Sequence, residues 1–255
     1  MRVHVVSDVH GHAEALARAG DGADALVCLG DLLLFIDYAD PTGGILGDLF
    51  GPDAVRRYVT LRTAKQYDAA REYTRELWAT VGPDRDTIVL AAVRRQYTEM
   101  FAAFPTPTYV TYGNVDMPNL WPEFARDGVH VLDGASTTLD GWSFGFVGGG
   151  LKSPMRTPYE RTEEEFAAKL AEVGAVDVLC THIPPAVPEL TYDVVARRFE
   201  RGSAALLDVI RATRPRYVLF GHVHQPLQRR LRIGRTECIN VGHFRGLGRP
   251  FVLRW

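Results

Sequence analysis

The sequence predicts an α/β fold (α+β by some schemes), and three observations carry that prediction. Short β-branched or apolar runs recur along the chain, helical periodicity falls between them, and five of the runs are followed, at once or after a single Gly, by Asp, His or Asn. Residues 2–7 (RVHVVS) and 25–30 (ALVCLG) read as buried strands, with residues 13–19 (AEALARA) helical between them. That β-α-β order implies a parallel strand pair. Similar runs lie at 108–112, 143–147, 176–181 and 216–220. The tail adds 227–233, 236–241 and 250–254, separated by turn residues in the manner of antiparallel strands.

The stretch 53–104 has a different rhythm. Ala70, Tyr73 and Leu77 recur at helical spacing, Gly82-Pro83-Asp84 breaks the pattern, and Val93, Tyr97, Met100 and Phe104 resume it until Pro105. These helices form an inserted subregion of a single domain spanning 1–255. They could cap a site, cover the sheet, or pair with a second subunit as a homo-oligomer. Their aromatics read as core, because helical spacing alone predicts burial. A further helix is expected at 163–173, with Thr162 as N-cap, acids in its first turn and Gly174 at its end. Another opens at Ser203 and runs to about Arg211.

With 255 residues, 46% hydrophobic and 24% charged, the chain can bury a substantial core. No run of about 18 apolar residues offers a membrane span. Asp8 comes too early for a signal-peptide apolar region, so a cytoplasmic location is expected. Cys28, Cys180 and Cys238 each sit in a β-like run, as packed reduced thiols would, and no zinc-type Cys pair exists. The net charge is −2, yet residues 197–255 carry 13 Arg against Glu200, Asp208 and Glu237. Such asymmetry can attract an anionic substrate, although solvated faces in an Arg-rich chain with three Lys give the same count.

The chemistry lies at the strand ends. Asp8-Val9-His10 follows the first strand and Gly30-Asp31 the second. Gly113-Asn114-Val115-Asp116 follows 108–112, His182 follows 176–181, and Gly221-His222-Val223-His224 follows 216–220. In open α/β sheets ligands gather at the carboxyl ends of strands, so five segments can converge on one crevice. Carboxylate, imidazole and amide oxygen are donors suited to Mn, Fe or Zn, with no thiolate among them. One Asp can bridge two cations about 3.5–4 Å apart, the separation used for in-line displacement at phosphorus. Two His two residues apart point to opposite faces of a regular strand. Both can serve one site if Gly221 begins a loop, each reaching a different metal.

This series, D-x-H, G-D, G-N-x-D, H and G-H-x-H, resembles the calcineurin-like metallophosphoesterase superfamily from Asp8 to His224. In its G-N-x-D form it is similar to the small prokaryotic phosphodiesterases. The resemblance implies a four-layer α/β/β/α sandwich and a binuclear metal centre. Carried over by position, Asp8, His10, Asp31 and His224 would hold one metal. Asp31, Asn114, His182 and His222 would hold the other, with Asp31 bridging. It further implies attack on a phosphate ester by a metal-bridging hydroxide, with two divalent cations as cofactors: Mn first, Fe, Zn, Ni or Co as alternatives.

The sequence departs from that pattern in places. Val115 stands where the protein phosphatase branch has a His thought to protonate the leaving group or bind phosphate. Hydrolysis of diesters, or of esters with good leaving groups, is therefore favoured. Asp116 could orient a neighbouring His or Asn, or simply cap its loop. His12 stands where related sequences often have Asn and is a candidate stand-in acid. Asp31, Asn114, Asp116 and His12 are thus the expected catalytic residues. His243, in a turn resembling N-P-G-S, and Lys152 and Arg156, in the Gly- and Pro-rich segment 148–156, are expected to meet substrate. A phosphomonoesterase, or a nuclease supported only by the Arg excess, is the alternative on the same site. A non-catalytic metal-binding scaffold is the second alternative.

Overall fold

Parallel pairing in register is what brings the strand ends together. The computed structural model describes all 255 residues. In one sheet the strands run in the order Phe251–Arg254, Arg2–Val6, Ala25–Cys28, Thr108–Val110 and Val129–Val131. All neighbours are parallel except Phe251–Arg254, which runs antiparallel to Arg2–Val6. Val6, Cys28 and Val110 stand side by side, so the loops bearing Asp8, Asp31 and Asn114 leave from one edge.

The second sheet has the order Arg230–Ile233, Thr236–Asn240, Tyr217–Phe220, Val178–Thr181, Trp142–Val147 and Ala135–Leu139. Its four central strands are parallel and its two outer ones antiparallel. Phe220 pairs with Asn240, and Leu219 with Cys180, so His182, His222 and the turn after Asn240 also leave from a common edge.

Alternation along the strands divides the core. Val3, Val5, Val27 and Leu29 of the first sheet pack with Phe144, Phe146, Cys180 and Leu219 of the second. The opposite faces of the second sheet, through Leu179, Val218 and Phe220, meet Phe166 and Leu170 of helix Glu163–Val173 and Leu206 and Ile210 of helix Ala204–Thr213. Helix Ala13–Arg18 lies beside the first sheet, where His4 Nδ1 donates to Ala19 O over 2.8 Å. The α/β sandwich expected from the sequence is therefore present. All three cysteines are buried and free, and burial pushes their thiols up, Cys238 to about 12.

Helix ends follow their capping chemistry. Thr162 Oγ1 accepts from Glu165 N while the Glu165 carboxylate accepts from Thr162 N, a reciprocal capping box. Ser203 caps the helix that begins at Ala204.

The chain divides into two compact units, Met1–Leu32 with Met100–Trp255, and Leu33–Glu99. Within the smaller unit, Gly44–Thr63 is helical but kinks at Gly51, and Tyr67–Val81 forms a further helix. The boundary read near 53 thus coincides with a Gly51-Pro52 kink, and helical structure begins earlier, at Gly44. Gln96 returns to Leu34, donating to its carbonyl and accepting from its N–H. Val93, Tyr97, Met100 and Phe104, the stripe read from periodicity in helix Arg85–Ala103 and just beyond it, are buried. No helix of the chain is long and apolar enough to cross a membrane.

Candidate metal centre

The loops that leave these edges are held in backbone conformations that ordinary residues avoid. Asp8, His10, Asp31 and His222 have φ of 57°, 42°, 56° and 66°. Such left-handed angles cost about 1–2 kcal/mol per residue and persist only where the surroundings enforce them. Here the backbone does so: Asp8 N donates to Gly30 O, His10 N to Asp31 O and Gly11 N to Leu32 O, at 3.1, 2.9 and 2.8 Å. The approach of loops requires glycine at two places. A Cβ on Gly113 would lie 2.0 Å from Asp31 Oδ1, and one on Gly221 would lie 2.3 Å from Asp8 Oδ2.

On one side of the site Asn114, His182, His222 and Asp31 converge. Asn114 Oδ1 lies 3.0 Å from His182 Nε2 and 2.9 Å from His222 Nδ1. His182 Nε2 is also 3.4 Å from Asp31 Oδ2. The other ring nitrogen of His182 donates to Leu29 O at 2.9 Å. A carbonyl only accepts, so Nδ1 carries a proton, and Nε2, facing two oxygens, must hold either a second proton or a cation.

Asp8, His10, Asp31 and His224 form the other side. Asp8, His10 and Asp31 each offer one donor atom within 4.8 Å of the others. His222 N donates to Asp8 Oδ2 at 3.0 Å, while the buried Oδ1 accepts no hydrogen bond and faces His224 Nε2 at 3.5 Å. His222 and His224 therefore diverge, one toward Asn114 and the other toward Asp8, as a loop starting at Gly221 requires. Asp31 Oδ2 lies 3.9 Å from His10 Nε2 and 3.4 Å from His182 Nε2, between the two sides. The donor set thus fits a pair of divalent cations sharing Asp31.

Charge reinforces this picture. Burial alone would raise the Asp8 and Asp31 carboxyls, but the surrounding imidazoles outweigh it and hold both below the usual range. Burial would lower His182, yet Asp31 raises it to about 9. Burial and the neighbouring His182 lower His222 to about 4.

The remaining expected residues are distributed unevenly. Asp116 is fully buried, and its carboxylate accepts from Asp31 N, Gly113 N and Leu32 N at 2.8, 2.8 and 3.0 Å. These contacts fix the backbone of two site loops, as a loop cap does. His12 is the N-cap residue of helix Ala13–Arg18, its ring 6.5 Å from Phe244. His243 stacks on His224, with centroids 3.9 Å apart. Lys152 and Arg156 are exposed, and Lys152 lies in the field of Glu164. Their loop enters the site through a different residue, Thr157.

Thr157 was not read from the sequence, nor were Glu160 and Arg245. Thr157 Oγ1 donates to Glu160 Oε1 at 2.8 Å and accepts from Asn114 Nδ2 at 3.1 Å, which turns the Asn114 amide oxygen into the site. The Thr-x-x-Glu spacing in a Gly- and Pro-rich loop was the available signal. Arg245 Nη1 donates to His10 O at 2.7 Å, a contact that nothing in the local sequence announces.

Comparison with known proteins supplies a family and a fold. The family model described as calcineurin-like phosphoesterase matches residues 1–226. No curated protein matches the chain. Among solved structures the chain is similar to the crystal structure of TT1561 of Thermus thermophilus. The TM-score is 0.55 at 14% identity, covering 99% of this chain and 98% of that one, a likeness of fold.

Proposed function

The chain belongs to the calcineurin-like phosphoesterase family, and from that premise we propose that it is a phosphodiesterase acting on a small or nucleotide-like phosphate ester. As a member of that family it is a metal-dependent phosphoesterase with a divalent metal centre. In this reading Asp8, His10, Asp31 and His224 hold one cation. Asp31, Asn114, His182 and His222 hold the other, with Mn the first choice. When bound, the cations supply a nucleophile from water near neutral pH and neutralise charge developing on the phosphoryl oxygens.

The chain's own residues do the positioning. Asp31 spans both sides, Asn114 presents its amide oxygen, and Asp116 locks the two loops that carry them. The observation that carries the diester preference is Val115. Its N–H donates to Asp31 Oδ1 at 3.0 Å, and its side chain has no proton to give. An alkyl monoester, with its poor alkoxide leaving group, needs that proton, whereas a diester or other ester with a good leaving group needs it less. The Arg excess gives the nuclease alternative little support, because Arg230 and Arg232 engage Glu237 and Arg216 lies 4.7 Å over Trp142.

The test is turnover of a chromogenic aryl diester, an alkyl phosphomonoester, cyclic nucleotides and single-stranded nucleic acid, each with added Mn. The diester or a cyclic nucleotide is expected to be hydrolysed with the highest kcat/KM. Faster hydrolysis of the monoester, or no Mn-dependent turnover of any substrate, would overturn the proposal.

A further inference from the structure

His243 lies where a metal ligand would lie. The rings of His224 and His243 are parallel within 5° and 3.9 Å apart. Both stand edge-on to His10 in nearly the same way, at 5.4 Å and 65° for His224 and 5.7 Å and 62° for His243. Each of the three offers a nitrogen within 4.8 Å of the other two. One nitrogen of each therefore lies close enough for a single cation to be shared, provided that the stacked rings of His224 and His243 turn so that their lone pairs converge.

The position of His243 is built. The buried side-chain amide of Asn240 donates to Gly221 O and Val223 O at 3.2 and 2.9 Å and accepts from Gly242 N at 2.9 Å. One amide thus ties the His222–His224 loop to the turn that presents His243. Beyond it, Phe244 N donates to Ser7 O at 2.9 Å and Arg245 N to Asp8 O at 3.1 Å. The turn is fastened to the loops that carry Asp8, His10 and His224. A turn held from two directions keeps the His243 side chain beside the other donors.

We propose that His243 is an additional protein ligand of the cation held by Asp8, His10, Asp31 and His224. The inference rests on the metal-centre reading above and sharpens it. That position then has three imidazoles and two carboxylates, while the other keeps two imidazoles, an amide oxygen and the shared carboxylate. A third nitrogen donor tilts the first position toward Fe, Co, Ni or Zn and away from oxygen-preferring cations such as Mg.

The test needs no substrate. Metal-free wild type and His243→Ser are titrated calorimetrically with Zn(II), and the visible spectrum is followed during Co(II) addition. Wild type is expected to bind two ions. In His243→Ser one of the two affinities should fall about ten-fold or more, with a changed Co(II) spectrum, while the other holds. Unchanged affinities and an unchanged spectrum would overturn the proposal alone, and wild type binding no metal would overturn the metal-centre reading as well. If the variant does not fold, NMR of Co(II)-loaded wild type decides. Five contact-shifted imidazole spin systems support His243 as a ligand, and four exclude it.

Discussion

His182 Nε2 faces Asn114 Oδ1 at 3.0 Å although its Nδ1 proton is already given to Leu29 O. Without metal, only a second proton on the ring makes that approach favourable, and Asp31 raises the imidazole to about 9 so that it keeps one. A cation entering among His182, Asn114 and Asp31 must displace that proton. Affinity at this position should therefore rise about ten-fold per pH unit until pH reaches about 9, with one proton released per ion. Titrations in buffers of different ionisation enthalpy measure the release, and a pH-independent affinity would contradict the assignment. The same shift acts on the metal-free fold. A raised imidazole contributes stability fully below its unfolded value, near 6.5, and loses it as pH rises through about 9.

Asp31→Asn should cost both metals and nearly all activity. Asp31 Oδ2 lies between His10 and His182, so the substitution removes the shared charge from both sides at once. Metal content after dialysis checks this, and retention of two ions with wild-type turnover would refute a shared Asp31. By contrast, His222→Ala and His224→Ala should each lower the content toward one ion, because the two rings face Asn114 and Asp8 respectively.

The donors proved more legible than the architecture that aims them. Asp8, Asp31, Asn114, His182 and His222 were readable because each follows a buried β run, and parallel register converts that local fact into a shared edge. Strands Val129–Val131 and Ala135–Leu139 were not read, because the first is only three residues long, the second is mostly Ser and Thr, and both are largely solvated. Lys152 and Arg156 were chosen for charge, yet that loop is organised by Glu160, which accepts from Ser153 and Thr157 and leaves the long cationic side chains in solvent. His12 and His243 have similar loop contexts in sequence. Only the fold separates them, placing His243 against His224 and His12 near Phe244.

Asp116→Asn tests the loop-locking role. The carboxylate accepts from three buried N–H groups, and an amide offers one oxygen while setting its own N–H₂ against a donor. Opposing this loss, the change removes a buried charge that burial and Asp31 make unfavourable enough to raise the carboxyl to about 7. The unsatisfied donors should win, for a net destabilisation of roughly 1–3 kcal/mol. Asp116→Ala, which removes every acceptor, should cost more. Denaturant unfolding of the metal-free proteins measures both, and a variant as stable as wild type would show that Asp116 does not hold the loops.

Thr157→Val separates aim from charge. It keeps the shape of the side chain but removes the oxygen that accepts from Asn114 Nδ2 and donates to Glu160. The loop should survive, since Glu160 still accepts from Ser153 N, Ser153 Oγ and Thr157 N. The Asn114 amide, however, loses the contact that points its oxygen at His182 and His222. Affinity should fall roughly ten-fold at the position served by Asn114 and stay unchanged at the position served by Asp8, with Thr157→Ser close to wild type. Equal loss at both positions, or no rescue by Ser, would mean that Thr157 acts on the fold rather than on the aim of Asn114.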